Sequence, residues 1–235
     1  MYNTGLVCTM LAAAAAATAA EPKWPINTWL FTSFRGNGDG LHLAASQDGS
    51  KWKDLNKVFL KPTVGSGLMR DAHILRGPDG IFRMLWTTGW KDKGIGLASS
   101  TDLVNWSPQR YLPLFEGVKG TANAWAPESF YDEATQQYVV TWSSDIAGRF
   151  PTTASPDRMN NRTYYITTRD FTTFSEPKLF LDPGFDHIDT TITKVGTRYI
   201  AVFKEGDKQK LGKWGRFTGP RPTMYWAPTS CSRRL

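Results

Sequence analysis

Cysteine is almost absent from this 235-residue chain, and the two present, Cys8 and Cys231, stand near its ends. The stretch between them has no disulfide framework and no thiol nucleophile. Carboxylates are missing from one whole region. Up to Asp207 the Lys and Arg residues are matched by 21 Asp and Glu, whereas Lys208 to Leu235 carries basic residues only. The formal net charge of +7 therefore belongs to that tail, and the body gives no support for a nucleic-acid partner. Long apolar runs are also lacking. The Ala-rich run from Leu6 to Ala20 is too short to span a bilayer comfortably, so no membrane partner is expected. It ends in Ala17-Thr18-Ala19, the small-x-small pattern of a secretory signal, although no Lys or Arg precedes it. The expected organisation is a signal peptide over 1–20, a folded body over 21–207 and a basic tail over 208–235 outside the fold, with the product secreted and extracellular.

Helical periodicity is a further absence. From Trp24 to Glu205 the apolar residues alternate in short runs bounded by Gly, Pro, Asp and Asn, which predicts an all-β chain. One unit occurs three times. It opens with a carboxylate at the head of an apolar run: Asp71 in Arg70-Asp71-Ala72-His73, Glu128 in Trp125-Ala126-Pro127-Glu128, and Asp189 in Ile188-Asp189-Thr190-Thr191. An aromatic pair four residues apart follows, as Phe82 with Trp86, Tyr138 with Trp142, and Tyr199 with Phe203. The first two units continue into a third strand and an Asp turn, Ser100-Thr101-Asp102 with Trp106 and Thr168-Arg169-Asp170 with Phe174. An earlier copy of that turn, Ser46-Gln47-Asp48 with Trp52, implies a partial unit at the amino end.

With the carboxylates 57 and then 61 residues apart, each unit has room for about four strands, which fits a propeller blade. Asp48, Asp102 and Asp170 are expected to cap their turns by accepting backbone amides, with the following aromatic packed between blades. Much of the content of ten Trp is explained by such packing. The first strand of a blade lines the central axis, so Asp71, Glu128 and Asp189 should converge there. Carboxylates sharing one cleft push at least one pKa upward, the arrangement glycoside hydrolysis needs for one base and one protonated acid; the alternative is that each acid pairs with a nearby cation or caps a strand, as Asp71 could with Arg70.

At these residues the sequence resembles glycoside hydrolase family 43, from about Trp29 to about Glu205. The resemblance is carried by Gly36-Asn37-Gly38-Asp39-Gly40-Leu41-His42-Leu43-Ala44, Leu68-Met69-Arg70-Asp71, Gly77-Pro78-Asp79-Gly80, Trp125-Ala126-Pro127-Glu128 and Asp182-Pro183-Gly184-Phe185-Asp186-His187-Ile188-Asp189. It implies a five-bladed β-propeller, here an incomplete ring of about three and a half blades. It also implies an inverting enzyme for arabinofuranosyl, xylosyl or galactofuranosyl linkages, with an oligo- or polysaccharide as partner and no cofactor. By the same resemblance Asp71 is the general base, Asp189 orients the general acid and raises its pKa, and Trp125, Glu128 and His187 bind substrate.

Two departures from the family stand out. Ala72 replaces the usual Pro after the base. More consequentially, the Glu-Gly-Pro motif that carries the family's general acid is absent, since Glu205-Gly206-Asp207 comes too soon after Asp189. Lys208 to Leu235 shows no strand pattern, and a shifted reading frame or exon boundary is the expected cause. The alternative is a non-catalytic carbohydrate-binding propeller fragment. A sialidase-type propeller fits less well, because the Asp turns are one residue shorter than its usual box and no set of arginines for a sialic carboxylate is present. His42, His73 and His187 show no ligand spacing, so no metal site is expected.

Overall fold

A computed structural model describes residues 28–154, 159–196 and 198–206, and the backbone of 224–227. The expected signal peptide and most of the basic tail lie outside the described residues. Fourteen strands form four antiparallel sheets among them. The first holds β1 (Trp29–Ser33), β2 (Leu41–Ser46) and β3 (Lys53–Leu60). The second holds β4 (Arg70–Arg76), β5 (Phe82–Thr87), β6 (Gly94–Ser100) and β7 (Arg110–Pro113). The third holds β8 (Trp125–Asp132), β9 (Gln137–Ser144), β10 (Arg162–Thr168) and β11 (Lys178–Leu181). The last holds β12 (His187–Val195), β13 (Arg198–Glu205) and β14 (Met224–Ala227). Each sheet is a simple meander, and β1, β4, β8 and β12 touch in succession. This is the incomplete propeller that the repeat predicts.

The Asp turn identifies which strand of a blade is which. It follows β6 and β10, each the third strand of its sheet, and β2. The first sheet therefore has, among the described residues, the second, third and fourth strands of a blade and not the first. The last sheet is aligned by the pair Tyr199 and Phe203, and has the first three strands. One of those, β14, lies in the tail where the sequence pattern predicts none; Met224 pairs with Val202 and Ala227 with Tyr199.

The turn itself is built identically three times. Asp48 Oδ1 accepts the amides of Ser50 and Lys51, Asp102 Oδ1 those of Val104 and Asn105, and Asp170 Oδ1 those of Thr172 and Thr173. These donated bonds hold all three carboxyls down at about 2. The preceding hydroxyl, on Ser46, Ser100 or Thr168, accepts the amide of the residue after the Asp. That residue has a positive φ in every copy, 72° at Gly49, 61° at Leu103 and 54° at Phe171.

Packing follows from the strand period of two. On β5, Met84 and Trp86 face the first sheet while Leu85 faces the third, and all three are fully buried. Trp86 can lie flat across the blade because its partner on β6 is Gly96, where a Cβ would sit 2.0 Å from the indole. Between the second and third sheets Trp142 stacks on Tyr164, its neighbour on β10, and both meet the edge or face of Phe115. Arg83 ties the same two sheets: it is held by the Asp79 carboxylate, donates to Tyr138 Oη at 3.1 Å, and covers the Tyr138 and Phe171 rings. Trp106 and Phe174 pack against these cores as expected. Trp52 differs: it is 44% exposed and leans on Phe31 of its own sheet, with no further sheet packed against it among the described residues. Asn161-Arg162-Thr163 has the form of a glycosylation sequon, but in the fold the Asn161 side chain is buried and bonded to Asp186 and Asn123, which closes it to modification.

Candidate active site

The three inner strands share one local defect. Pairing with the second strand breaks between Arg70 and His73 on β4, between Trp125 and Glu128 on β8, and between Ile188 and Thr191 on β12. Each break is a bulge whose first residue is left-handed: Asp71 at φ 53°, Ala126 at 46° and Asp189 at 56°. Such a φ costs a non-glycine residue roughly 1–2 kcal/mol, and Asp tolerates it better than Ala. The bulge turns the side chain at that position toward the axis and re-aims the strand beyond it.

This register corrects the alignment of the repeat. The residue equivalent to Asp71 and Asp189 is Ala126, and Glu128 stands level with His73 and Thr191. The aromatic pairs align as the sequence predicts. The carboxylate of the middle unit is displaced by two residues.

Asp71, Glu128 and Asp189 nevertheless line one cavity of about 490 Å³, walled on its other side by β1 and Phe34. Burial pushes the Asp71 carboxyl upward; the Thr87 hydroxyl, donating at 2.8 Å, opposes this, and the Asp189 charge adds to it. Thr87 Oγ1 in turn accepts the Ala126 amide at 2.9 Å, so one hydroxyl links the bulges of two blades. Burial likewise raises the Glu128 carboxyl, opposed by the Thr191 hydroxyl at 2.5 Å and reinforced by Asp189. Asp189 is paired with Lys204 at 2.6 Å. The site thus has two carboxyls biased toward the protonated form beside a third that is ion-paired with a lysine.

Trp125 stands beside this group. Its Nε1 donates to the Trp90 carbonyl at 3.1 Å and its ring meets Trp90 edge to face. His187 does not reach the cavity, contrary to the expected substrate contact. Its ring is fully buried, bonded to Thr163 Oγ1 at 2.8 Å and packed on Phe203, because it precedes the bulge and projects into the blade. Burial lowers its pKa to about 4, leaving a neutral packing residue.

The sequence pattern of a family described as "Probable glycosyl hydrolase domain", a family-43-related group, matches residues 25–225. The chain belongs to this family. The match extends into the basic tail, as β14 does. Among curated proteins, this family-43-related chain is 29% identical over 176 residues to an α-L-arabinofuranosidase of Bifidobacterium longum subsp. longum, covering 66% of the chain and 16% of that protein. Among solved structures it resembles an α-L-arabinofuranosidase of Clostridium thermocellum, with a TM-score of 0.58 at 16% identity over 79% of the chain and 60% of that structure. A thermostable family-43 glycoside hydrolase gives the same TM-score at 14% identity, over 77% and 61% of the two chains. The chain thus spans less than two thirds of each of these relatives, and the solved structures show the shared propeller fold.

Sequence reasoning missed Thr87 and Lys204, although a signal for both exists. A polar residue directly follows the second aromatic of every pair: Thr87 after Trp86, Ser143 after Trp142, and Lys204 after Phe203. Each pairs with the residue just before a bulge, and Thr87 and Lys204 reach the carboxylate on it.

Proposed function

We propose that this chain carries the water-activating part of a secreted inverting glycosidase site for arabinofuranosyl, xylosyl or galactofuranosyl linkages. The observation that carries the reading is the placement of Asp71 and Asp189 on equivalent bulges, facing one cavity together with Glu128. The name of the Bifidobacterium relative supports the arabinofuranosyl class, and the Ala-rich run Leu6 to Ala20 supports secretion.

In this mechanism Asp71, once deprotonated, holds a water by hydrogen bond and takes its proton as the oxygen attacks the anomeric carbon from the face opposite the leaving group. The glycosidic C–O bond breaks, and the leaving oxygen must gain a proton from a general acid roughly 6.5–9.5 Å from the base. The family's Glu-Gly-Pro acid is absent from this sequence, so the chain acts best on leaving groups that need no proton. On this reading 2,4-dinitrophenyl α-L-arabinofuranoside is turned over slowly and Asp71→Asn lowers that rate by about 10²–10⁴. Efficient cleavage of unactivated arabino-oligosaccharides would refute the missing acid, and an Asp71→Asn variant as fast as the parent would refute the base.

The second reading, a carbohydrate-binding fragment without turnover, is favoured by the exposed aromatic group beside the cavity. Saccharide binding with no reducing-end release from any substrate would select it.

A further inference from the structure

The loop between β5 and β6 presents a tryptophan for which neither fold nor carboxylate chemistry accounts. Trp90 is 50% exposed, yet its backbone is firmly held. The Asp92 carboxylate accepts the Thr88 hydroxyl at 2.8 Å, the Ser66 amide at 2.8 Å and the Ser66 hydroxyl at 2.5 Å. Leu68 N donates to Thr88 O at 2.9 Å, clamping the loop to the segment that leads into β4. Gly89 lies so close to Asp92 that a Cβ would come within 2.5 Å of it.

The side chain is fixed as well. Trp125 stands perpendicular to it at 88°, and the Arg70 guanidinium lies 4.8 Å from its ring centre. Arg70 is itself covered by the Phe34 ring at 4.5 Å and donates to Asn37 Oδ1 at 3.1 Å. Phe34 also lines the carboxylate cavity, and Arg70 immediately precedes Asp71. A rigid, half-exposed indole with a guanidinium beside it therefore stands next to the cavity, its partners Arg70 and Trp125 each one residue from the lining residues Asp71 and Ala126.

Exposing so much of an indole forgoes burial energy, and a preorganised aromatic surface recovers it when a ligand covers it. Sugar rings carry one face rich in C–H groups and a rim of hydroxyls. The first suits an indole and the second suits guanidinium N–H donors. The three carboxylates nearby disfavour an acidic sugar.

We propose that Trp90, backed by Trp125 and Arg70, is a stacking platform for the second, neutral sugar residue of an oligosaccharide whose terminal residue occupies the carboxylate cavity. The proposal rests on the carbohydrate reading above and adds to it a residue and a subsite. It supplies binding from a remote part of the substrate and so favours chains over single sugars.

Calorimetric titration of the full chain with α-1,5-arabinotriose, β-1,3-galactotriose and arabinose tests it, with urea midpoints confirming that each variant is folded. Trp90→Ala is expected to weaken binding of the better trisaccharide about tenfold while arabinose affinity changes little, and Trp90→Phe to restore most of the loss. Unchanged trisaccharide affinity in Trp90→Ala, or an equal loss for arabinose, would overturn the platform while leaving the carbohydrate reading intact. A parent chain that binds none of the three sugars would overturn both.

Discussion

The two middle sheets and the two outer sheets are made from the same unit but are finished differently. Trp86 is buried between the first and second sheets and Trp142 between the second and third. In the first sheet Trp29, Phe31 and Trp52 are 62%, 58% and 44% exposed, and no strand lies inside β1 among the described residues. The chemistry is distributed across this difference. Asp71 and Glu128 stand on middle blades, Asp189 and Lys204 on the last, and the wall opposite them is the open first sheet. Aromatic strands are therefore buried only where a neighbouring blade covers them, whereas the cavity needs only the strands that face the axis.

The sharpest test of that difference is truncation of matched aromatics. Trp142→Ala is expected to cost about 3–5 kcal/mol in urea unfolding, the usual loss for a large buried aromatic, and Trp52→Ala well under about 1 kcal/mol. Equal losses would mean that the first sheet is as well enclosed as the third.

Acid stability is the next largest effect. Burial lowers His73 and His187 to about 4 from the ordinary 6.5. Their folded pKa values lie below the unfolded ones, so each neutral ring contributes stability above about pH 6.5 that is lost as the pH falls toward 4. The full loss is on the order of 3 kcal/mol per ring. His73 donates to the Ser129 carbonyl at 3.0 Å between middle blades, and His187 packs in the last. His73→Gln should flatten more of the urea-midpoint profile between pH 7 and 4 than His187→Gln if the middle region governs global unfolding; the reverse order would locate the weak point in the last sheet.

The smallest effect is local. Amides of β9, flanked on both sides, should exchange with deuterium more slowly than those of β1, which among the described residues pairs with β2 alone. Comparable protection would show that the inner edge of the first sheet is covered in solution.

What the sequence made legible was local or periodic. The Asp turn can be read because a carboxylate capping amides two and three residues on leaves a fixed spacing. The aromatic pairs can be read because residues four apart on a strand share a face. The displaced carboxylate could not be read. A bulge is defined by hydrogen bonds to another strand, and Ala126 advertises nothing. His187 was misplaced because a motif gives proximity along the chain, whereas the bulge between it and Asp189 sends the two side chains in different directions. β14 escaped because four residues in a basic context carry no alternation long enough to register.

The odd member of the three bulges has a consequence for how the site could change. At Asp71 and Asp189 the polar residue across the strand, Thr87 or Lys204, donates to the carboxylate. At Ala126 the corresponding residue is Ser143, whose buried Oγ makes no hydrogen bond among the described residues. The scaffold already holds there a left-handed backbone that Asp accepts more readily than Ala, and a hydroxyl with nothing to hold. A single codon change from alanine to aspartate would therefore enter a prepared position, and the propeller keeps in reserve a third acid at the level of the other two.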